Sequence, residues 1–136
     1  MTQKKRILVV DDEPDFCSIV QGDLEREGFI VEVAYDGNEG LAKVKSNPPD
    51  AIVLDVIMPE KDGYAFCKEI KEDEKFADIP IVMVTGVATH ITSTRYSFFG
   101  GMSMKADDYL PKPASAKDIA QSLKGLLGMQ GDTPAT

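Results

Sequence analysis

The chain has 136 residues, of which 43% are hydrophobic and 28% charged, and its formal net charge is −8. This length and composition indicate one globular domain with a single buried core, and they exclude a disordered chain. The acidity argues against a nucleic-acid-binding surface, which needs clustered lysine and arginine. No apolar run reaches the length of a membrane span, and the acidic stretch at 11–15 cuts off any signal-peptide core, so we predict a cytoplasmic protein without membrane contact.

Five short apolar runs are predicted to be β-strands. They are residues 6–10, 30–34, 51–55, 80–85 and 108–111. Helical patterns separate most of these runs. Strands that alternate with helices predict an α/β fold, in which a parallel sheet is covered by helices on both faces.

The first two helices are predicted from apolar spacing and from their end signals. Apolar residues recur at helical spacing after the first strand, and Gly28 is expected to stop that helix. The residues of its apolar face are Phe16, Ile19, Val20 and Leu24. A turn at Asp36-Gly37 precedes the second helix, for which Asn38 is a candidate N-cap.

Two more helices follow the third and fifth strands. The third is expected to bury Phe66, Cys67 and Ile70; both cysteines, Cys17 and Cys67, lack metal-ligand spacing and are predicted to be core thiols. The last helix begins near Ser115, a capping candidate with Asp118 three residues on. Its apolar face consists of Ile119, Leu123, Leu126 and Leu127.

Polar residues that could bind a ligand or take part in a reaction lie at or just after the ends of four strands. They are Asp11, Asp12, Asp55, Thr85 and Lys112. Open parallel sheets bind ligands beyond the carboxyl ends of their strands, so we expect these residues to meet at one edge. Asp55 lies in an otherwise apolar run, and because a charge is costly to bury, it is predicted to face a cleft there.

Three carboxylates at one edge repel one another, and a divalent cation that prefers oxygen ligands, such as Mg²⁺, relieves the repulsion. A lysine and a hydroxyl at the same edge would complete a site for a phosphoryl group. Taken singly, each residue has a purely structural explanation. Asp12 or Asp15 could cap the first helix, Lys112 could be a surface lysine, and Thr85 could be a strand residue.

Four motifs, in this order, resemble the receiver domain of two-component response regulators, as in chemotaxis receivers. They are ILVVDDEPD, LDVIMPEKDG, VTG and DDYLPKP. The resemblance covers about residues 5 to 127 and implies a flavodoxin-like five-stranded sheet in the order 2-1-3-4-5. We therefore predict a receiver domain over 1–127 and a short C-terminal tail over 128–136.

The resemblance also implies a role for each site residue. Asp55 would accept a phosphoryl group from a histidine kinase or a histidine phosphotransfer protein. Mg²⁺ would be held by Asp12, Asp55 and the backbone carbonyl of Ile57, and Asp11 would act through water.

Three further residues are implied to respond to the phosphoryl group. Lys112 would pair with its oxygens and Thr85 would close onto them, while rotation of Tyr109 would report phosphorylation. The Lys112-Pro113 bond resembles the cis peptide of the family. The face around 86–112 is expected to change for partner binding.

The segment between Thr85 and Lys112 departs from the family pattern. It is longer than expected, Gly86 replaces the usual alanine, and Lys105 replaces a glycine. Its β-branched and glycine residues make a poor fourth helix, and the segment 90–105 is expected to carry the signalling difference. Phe98-Phe99 is either core packing or an exposed patch for a partner, and His90 has little support as a ligand.

Two apolar residues predict a slow loss of the phosphoryl group. The resemblance implies that the positions of Ile57 and Val87 flank the approach of a hydrolytic water, and neither side chain can hold a water by hydrogen bonding.

The favoured function is a signalling switch that catalyses only its own phosphorylation and dephosphorylation. The tail after Leu127 is too short for an output module. Output is therefore expected through a downstream protein partner or through onward phosphotransfer, unless the chain is a fragment of a longer regulator. The chain itself is expected to be a monomer or weak homodimer. The alternative is a receiver-like binding module that works without phosphorylation. A haloacid-dehalogenase-type phosphatase would need a second carboxylate where Ile57 stands, and a flavodoxin-like redox module would need a phosphate-cradling loop after the first strand.

Overall fold

The computed structural model describes residues 4–55, 63–85, 107–111 and 115–128. Its strands are β1 (Arg6–Val10), β2 (Ile30–Ala34), β3 (Ala51–Asp55), β4 (Ile81–Thr85) and β5 (Asp108–Pro111). Its helices are α1 (Pro14–Arg26), α2 (Gly37–Ser46), α3 (Gly63–Lys71) and α4 (Ala116–Leu126). All five predicted strands are confirmed, with β4 beginning one residue later than predicted.

The strands form one parallel sheet in the order β2-β1-β3-β4-β5, which confirms the predicted flavodoxin-like topology. The register aligns the carboxyl ends of the inner strands. Val10 lies beside Leu54, and Asp55 lies beside Val84. The residues that follow β1 and end β3 therefore meet at one edge of the sheet.

Both faces of the sheet are buried, because strand residues alternate between two apolar clusters. Ile7 and Val9 belong to the cluster covered by α1 and α4, whereas Leu8 and Val10 belong to the one covered by α2 and α3. This explains why the strands read as nearly continuous apolar runs rather than as alternating ones. Among the described residues, no helix is long and apolar enough to cross a membrane.

The helix ends follow the sequence signals, with one correction. Gly28 takes a positive φ of 102° just after α1, and Ser115 accepts a hydrogen bond from the Asp118 amide at 3.0 Å, as predicted. The N-cap of α2 is Asp36 rather than Asn38: its carboxylate accepts the Glu39 amide at 2.8 Å. Asp36 has extended backbone, so the helix begins at Gly37 and Asn38 already lies inside it.

Two residues predicted for apolar helix faces are exposed. Ile19 is 63% exposed, whereas its neighbour Val20 is buried. Successive side chains of an α-helix are 100° apart, so the side chain of Ile19 points away from the face that buries Val20. Leu126 is 36% exposed at the last residue of α4, although Ile119 and Leu123 are buried as predicted. Cys17 and Cys67 are buried thiols outside any disulfide, as expected.

Several predictions fall outside the described residues. They concern Ile57, Gly86, Val87, His90, the segment 90–105 with Phe98-Phe99, Lys112 and the Lys112-Pro113 bond.

Candidate functional site: carboxylates at the carboxyl edge of the sheet

Asp11 is fixed in place by its backbone and by its side chain. Its amide donates to the Ala34 carbonyl at 3.0 Å, which continues the β1–β2 ladder by one residue. Its own carbonyl accepts from the Cys17 thiol at 3.3 Å, and its carboxylate accepts from the Glu13 amide at 3.0 Å. With a residue exposure of 1%, Asp11 is a buried carboxyl held by the start of α1.

The start of α1 also settles the structural alternative for the acidic loop. The N-cap residue of α1 is Glu13, with no side-chain capping bond, and Pro14 follows it. Neither Asp12 nor Asp15 caps the helix, so that explanation of the loop is wrong. The Asp11–Glu13 bond was not foreseen, although aspartate commonly bonds the amide two residues on.

Asp55 is the last residue of β3 and lies between β1 and β4 in the sheet. All five residues of β3 are buried, and Asp55 itself is 7% exposed. A carboxyl in this position has the apolar sheet behind it and the acidic loop after β1 beside it. The position explains how an apolar strand carries an aspartate: the charge stands at the strand's end, next to other oxygen ligands.

The three aspartates form a cluster that could hold a metal ion. One carboxylate oxygen from each of Asp11, Asp12 and Asp55 lies within 4.8 Å of the other two, and Asp12 is the exposed member. At that separation, two like charges repel by about 3 kcal/mol at an effective dielectric constant of about 20. Such a cluster favours a bound cation.

The donor set fits Mg²⁺ rather than a softer metal, because all three side chains offer carboxylate oxygens. Oxygens bound to one Mg²⁺ at about 2.1 Å lie about 3 Å apart when adjacent and about 4 Å apart when opposite. The observed spacing, up to 4.8 Å, needs only a small closure or a bridging water.

Of the other predicted site residues, the structure gives a strand position for some and does not describe the rest. Thr85 ends β4, the neighbour of β3, and its backbone lies beside Pro111, which ends β5. Lys112 follows Pro111 in the chain but lies outside the described residues, as does Ile57. Tyr109 lies in β5 beside Met83. The sheet thus brings Asp11, Asp12 and Asp55 together and ends β4 at the same edge.

Comparisons with known proteins agree with this fold. Residues 7–124 match the family described as the response regulator receiver domain. The chain is 37% identical over 123 residues to the alkaline phosphatase synthesis transcriptional regulatory protein PhoP of Bacillus subtilis, covering 90% of this chain and 48% of that protein. It is 37% identical over 122 residues to the DNA-binding dual master transcriptional regulator RpaA of a Synechocystis species, with the same two coverages of 90% and 48%.

A solved structure gives the same result at the level of the fold. The CheY-like response regulator receiver domain protein from Methanospirillum hungatei superimposes with a TM-score of 0.80 at 28% identity, covering 93% of this chain and 95% of that one. The chain therefore belongs to the response regulator receiver domain family, whose members signal in two-component systems. It spans about half the length of the curated relatives it matches.

Proposed function

We propose that this chain is a phosphorylation-controlled switch in which Asp55 accepts a phosphoryl group from a histidine kinase or a histidine phosphotransfer protein. The observation that carries the proposal is the cluster of Asp11, Asp12 and Asp55, whose carboxylate oxygens lie within 4.8 Å of one another at the carboxyl edge of the sheet. Family membership supports the same reading, because receiver domains are signalling domains rather than classical enzymes.

Asp55 suits the role of acceptor because the fold fixes its position from both sides. Paired strands flank β3, and buried apolar residues fill the sheet behind its last residue. Phosphoryl transfer depends mainly on positioning and on neutralisation of charge, so a carboxylate on a strand end is better placed than one on a loop.

The proposed metal is Mg²⁺, held by Asp12, Asp55 and the backbone carbonyl of Ile57, with Asp11 acting through water. When bound, Mg²⁺ supplies the positive charge that lets phosphoryl oxygens approach a carboxylate. Asp11 supports this arrangement because the Glu13 amide and the α1 thiol hold it at the edge. Lys112 is proposed to pair with the phosphoryl oxygens, Thr85 to close onto them, and Tyr109 to respond.

The transfer itself balances as a displacement at phosphorus. One carboxylate oxygen of Asp55 forms a bond to phosphorus while the phosphorus–nitrogen bond of the donor phosphohistidine breaks. The electron pair of that bond remains on the imidazole nitrogen, which takes up a proton, and the product is an acyl phosphate on Asp55.

The output is proposed to be a change of the face around residues 86–112 that alters the binding of a downstream protein partner. Adding a phosphoryl group places about −1.5 to −2 charges at the carboxyl edge, which is enough to reorder a neighbouring segment. Two relatives are named transcriptional regulators, and this chain matches just under half of each. The prediction that nucleic acid is not a partner therefore applies only to this stretch of 136 residues, whose net charge is −8.

Incubation with acetyl phosphate and Mg²⁺, followed by intact mass spectrometry, tests the proposal. The phosphorus–oxygen bond of the donor breaks, acetate leaves, and the protein is expected to gain one phosphoryl group. Asp55→Asn should abolish the adduct. Asp78→Asn makes the same chemical change at an exposed aspartate in the α3–β4 connection and should leave the adduct intact.

Omission of Mg²⁺ with added chelator should also prevent the adduct. If wild-type protein gains no phosphoryl group from acetyl phosphate or from a phosphorylated kinase, the alternative of a receiver-like module working without phosphorylation is correct. An adduct that persists in Asp55→Asn would place the acceptor elsewhere.

A further inference from the structure

The free edge of β2 has an ordered pattern of outward-facing backbone groups. Among the strands that the structure describes, β2 pairs with β1 alone and stands at the end of the sheet. The Ile30 amide bonds to the Lys5 carbonyl at 2.9 Å, and the Ala34 carbonyl accepts the Asp11 amide at 3.0 Å. Because residues of a parallel strand alternate in direction, Val31 and Val33 turn their backbone groups away from β1.

Both outward carbonyls accept a hydrogen bond from a helix side chain. The Gln21 side-chain amide donates to the Val31 carbonyl at 3.2 Å, and the Lys43 ammonium donates to the Val33 carbonyl at 2.6 Å. Gln21 belongs to α1 and Lys43 to α2, the helices that pack on opposite faces of the sheet. The edge is therefore bridged from both sides.

Lys43 is itself held in this position. Its ammonium lies 3.4 Å from a carboxylate oxygen of Glu39, one turn earlier on α2, and the other oxygen of Glu39 accepts the Tyr35 amide at 2.8 Å. The ammonium is thus fixed between an acidic partner and a strand carbonyl, at a side-chain exposure of 31%. This bonding differs from that of a lysine that points freely into solvent.

We infer that Gln21 and Lys43 close the β2 edge and so prevent a second copy of this chain from adding its own strand there. An open strand edge is a template for pairing with another chain, and charged side chains, especially lysine, are a common means of blocking it. An incoming strand would have to displace two bonded donors and bring its backbone against a fixed positive charge.

The double variant Gln21→Leu with Lys43→Met tests this inference, since both replacements keep the apolar stem and remove the donor. Sedimentation velocity and thioflavin fluorescence during mild heating should show self-association at least tenfold faster than in wild type. Gln121→Leu with Lys45→Met makes the same chemical changes at exposed helix positions and should behave as wild type. Carbon-13 resonances of the Val31 and Val33 carbonyls should shift in the first variant only.

Loss of stability alone must not mimic the effect. Lys71→Met is expected to lower stability while leaving the β2 edge intact. It is compared with the double variant at temperatures at which the two variants have the same unfolded fraction. Equal association rates in that variant and in the double variant would overturn the inference, as would a double variant that stays monomeric with shifted carbonyl resonances. If the double variant does not fold, Lys43→Met and Lys43→Arg decide the matter, because only the arginine restores the donor and should suppress association.

Discussion

The two ends of the sheet differ in how their charged side chains are arranged. At the amino-terminal end, acidic and basic groups are paired and tie connections to strands. At the carboxyl-terminal end, three aspartates are brought together within 4.8 Å. The same acidic chain builds both ends, so the cluster does not follow from composition alone.

The amino-terminal end has two such ties. The Arg6 side chain donates to the Pro48 carbonyl at 2.9 Å and lies 3.4 Å from Glu32, while its amide donates to the Asp50 carboxylate at 2.7 Å. These bonds fasten the connection that leads into β3. Acidic residues here satisfy backbone donors and neighbouring cations.

The second tie is centred on Lys71, the last residue of α3. Its ammonium donates to the carbonyls of Ala77 and Ile79 at 3.1 and 2.7 Å and to Asp107 at 3.0 Å. The same Asp107 oxygen accepts the Ile81 amide at 2.8 Å, so one network joins α3, the start of β4 and the start of β5. The paired groups of the amino-terminal end stabilise the fold, whereas the aspartates of the carboxyl-terminal end form a group that could hold a cation.

The largest expected effect on stability is at Lys71. Lys71→Met keeps the stem of a side chain that is 12% exposed but leaves two carbonyls and the Asp107 carboxylate without their shared donor. We expect the free energy of unfolding to fall by about 2–3 kcal/mol, because hydrogen bonds to charged groups are among the stronger ones. Urea denaturation at constant m-value measures this, with Lys68→Met at an exposed position of the same helix as the control. Equal midpoints for the two variants would contradict the assigned role.

A smaller effect is expected from the packing beneath the acidic cluster. A Cβ atom added at Gly40 would lie 2.9 Å from a methyl group of Val10 and 3.1 Å from the Phe66 ring. Val10 directly precedes Asp11 and both neighbours are fully buried, so Gly40→Ala should lower stability by about 1–2 kcal/mol through overpacking.

Gly125 in α4 supplies the matched comparison for Gly40. A Cβ atom added there meets nothing within 4 Å, so Gly125→Ala should raise stability by about 0.5–1 kcal/mol through helix propensity. Thermal unfolding of both variants checks the opposite signs. A stabilised Gly40→Ala would show that the carboxyl end is loosely packed.

Sequence patterns predicted the strands and the cluster because both depend on strong local signals. The apolar run around Asp55 indicates a buried strand, and the cost of burying a charge predicts that this aspartate faces a cleft at the strand's end. The adjacency of Asp11, Asp12 and Asp55 then follows from the sheet topology that the family motifs implied. The roles assigned to the site residues remain predictions, those of the three aspartates as well as those of Thr85, Tyr109 and Lys112.

The sequence predictions were wrong or incomplete where burial, capping or a hydrogen bond depends on the direction of one side chain. Ile19 fits an apolar pattern by spacing, yet it lies 100° from Val20 around the helix and is exposed. Asp36 and Asn38 are both acceptable caps by residue type, and only the backbone conformation selects Asp36. The donors at Gln21, Lys43 and Lys71 bond distant carbonyls, which periodicity does not indicate.

The smallest expected change in stability is also the one that most directly tests the carboxyl-terminal end. Asp12→Asn removes one of three like charges while keeping the shape of an exposed side chain. In the absence of divalent cations, the variant should unfold at a slightly higher urea concentration than wild type, because the repulsion within the cluster is reduced. Asp78→Asn, an equal change of net charge at an exposed site outside the cluster, controls for the general effect of acidity.

Addition of Mg²⁺ should reverse the order of wild type and Asp12→Asn. A cation that binds only the folded protein stabilises it by about 1.4 kcal/mol at ten times its dissociation constant, and wild type should gain this amount while Asp12→Asn gains less. Calorimetric titration should show the corresponding loss of Mg²⁺ affinity in the variant. Equal affinity in both proteins would mean that Asp12 does not bind the cation. A variant less stable than wild type in chelator would mean that Asp12 does not repel its neighbours. With either result, the contrast between the two ends of the sheet would have a different cause.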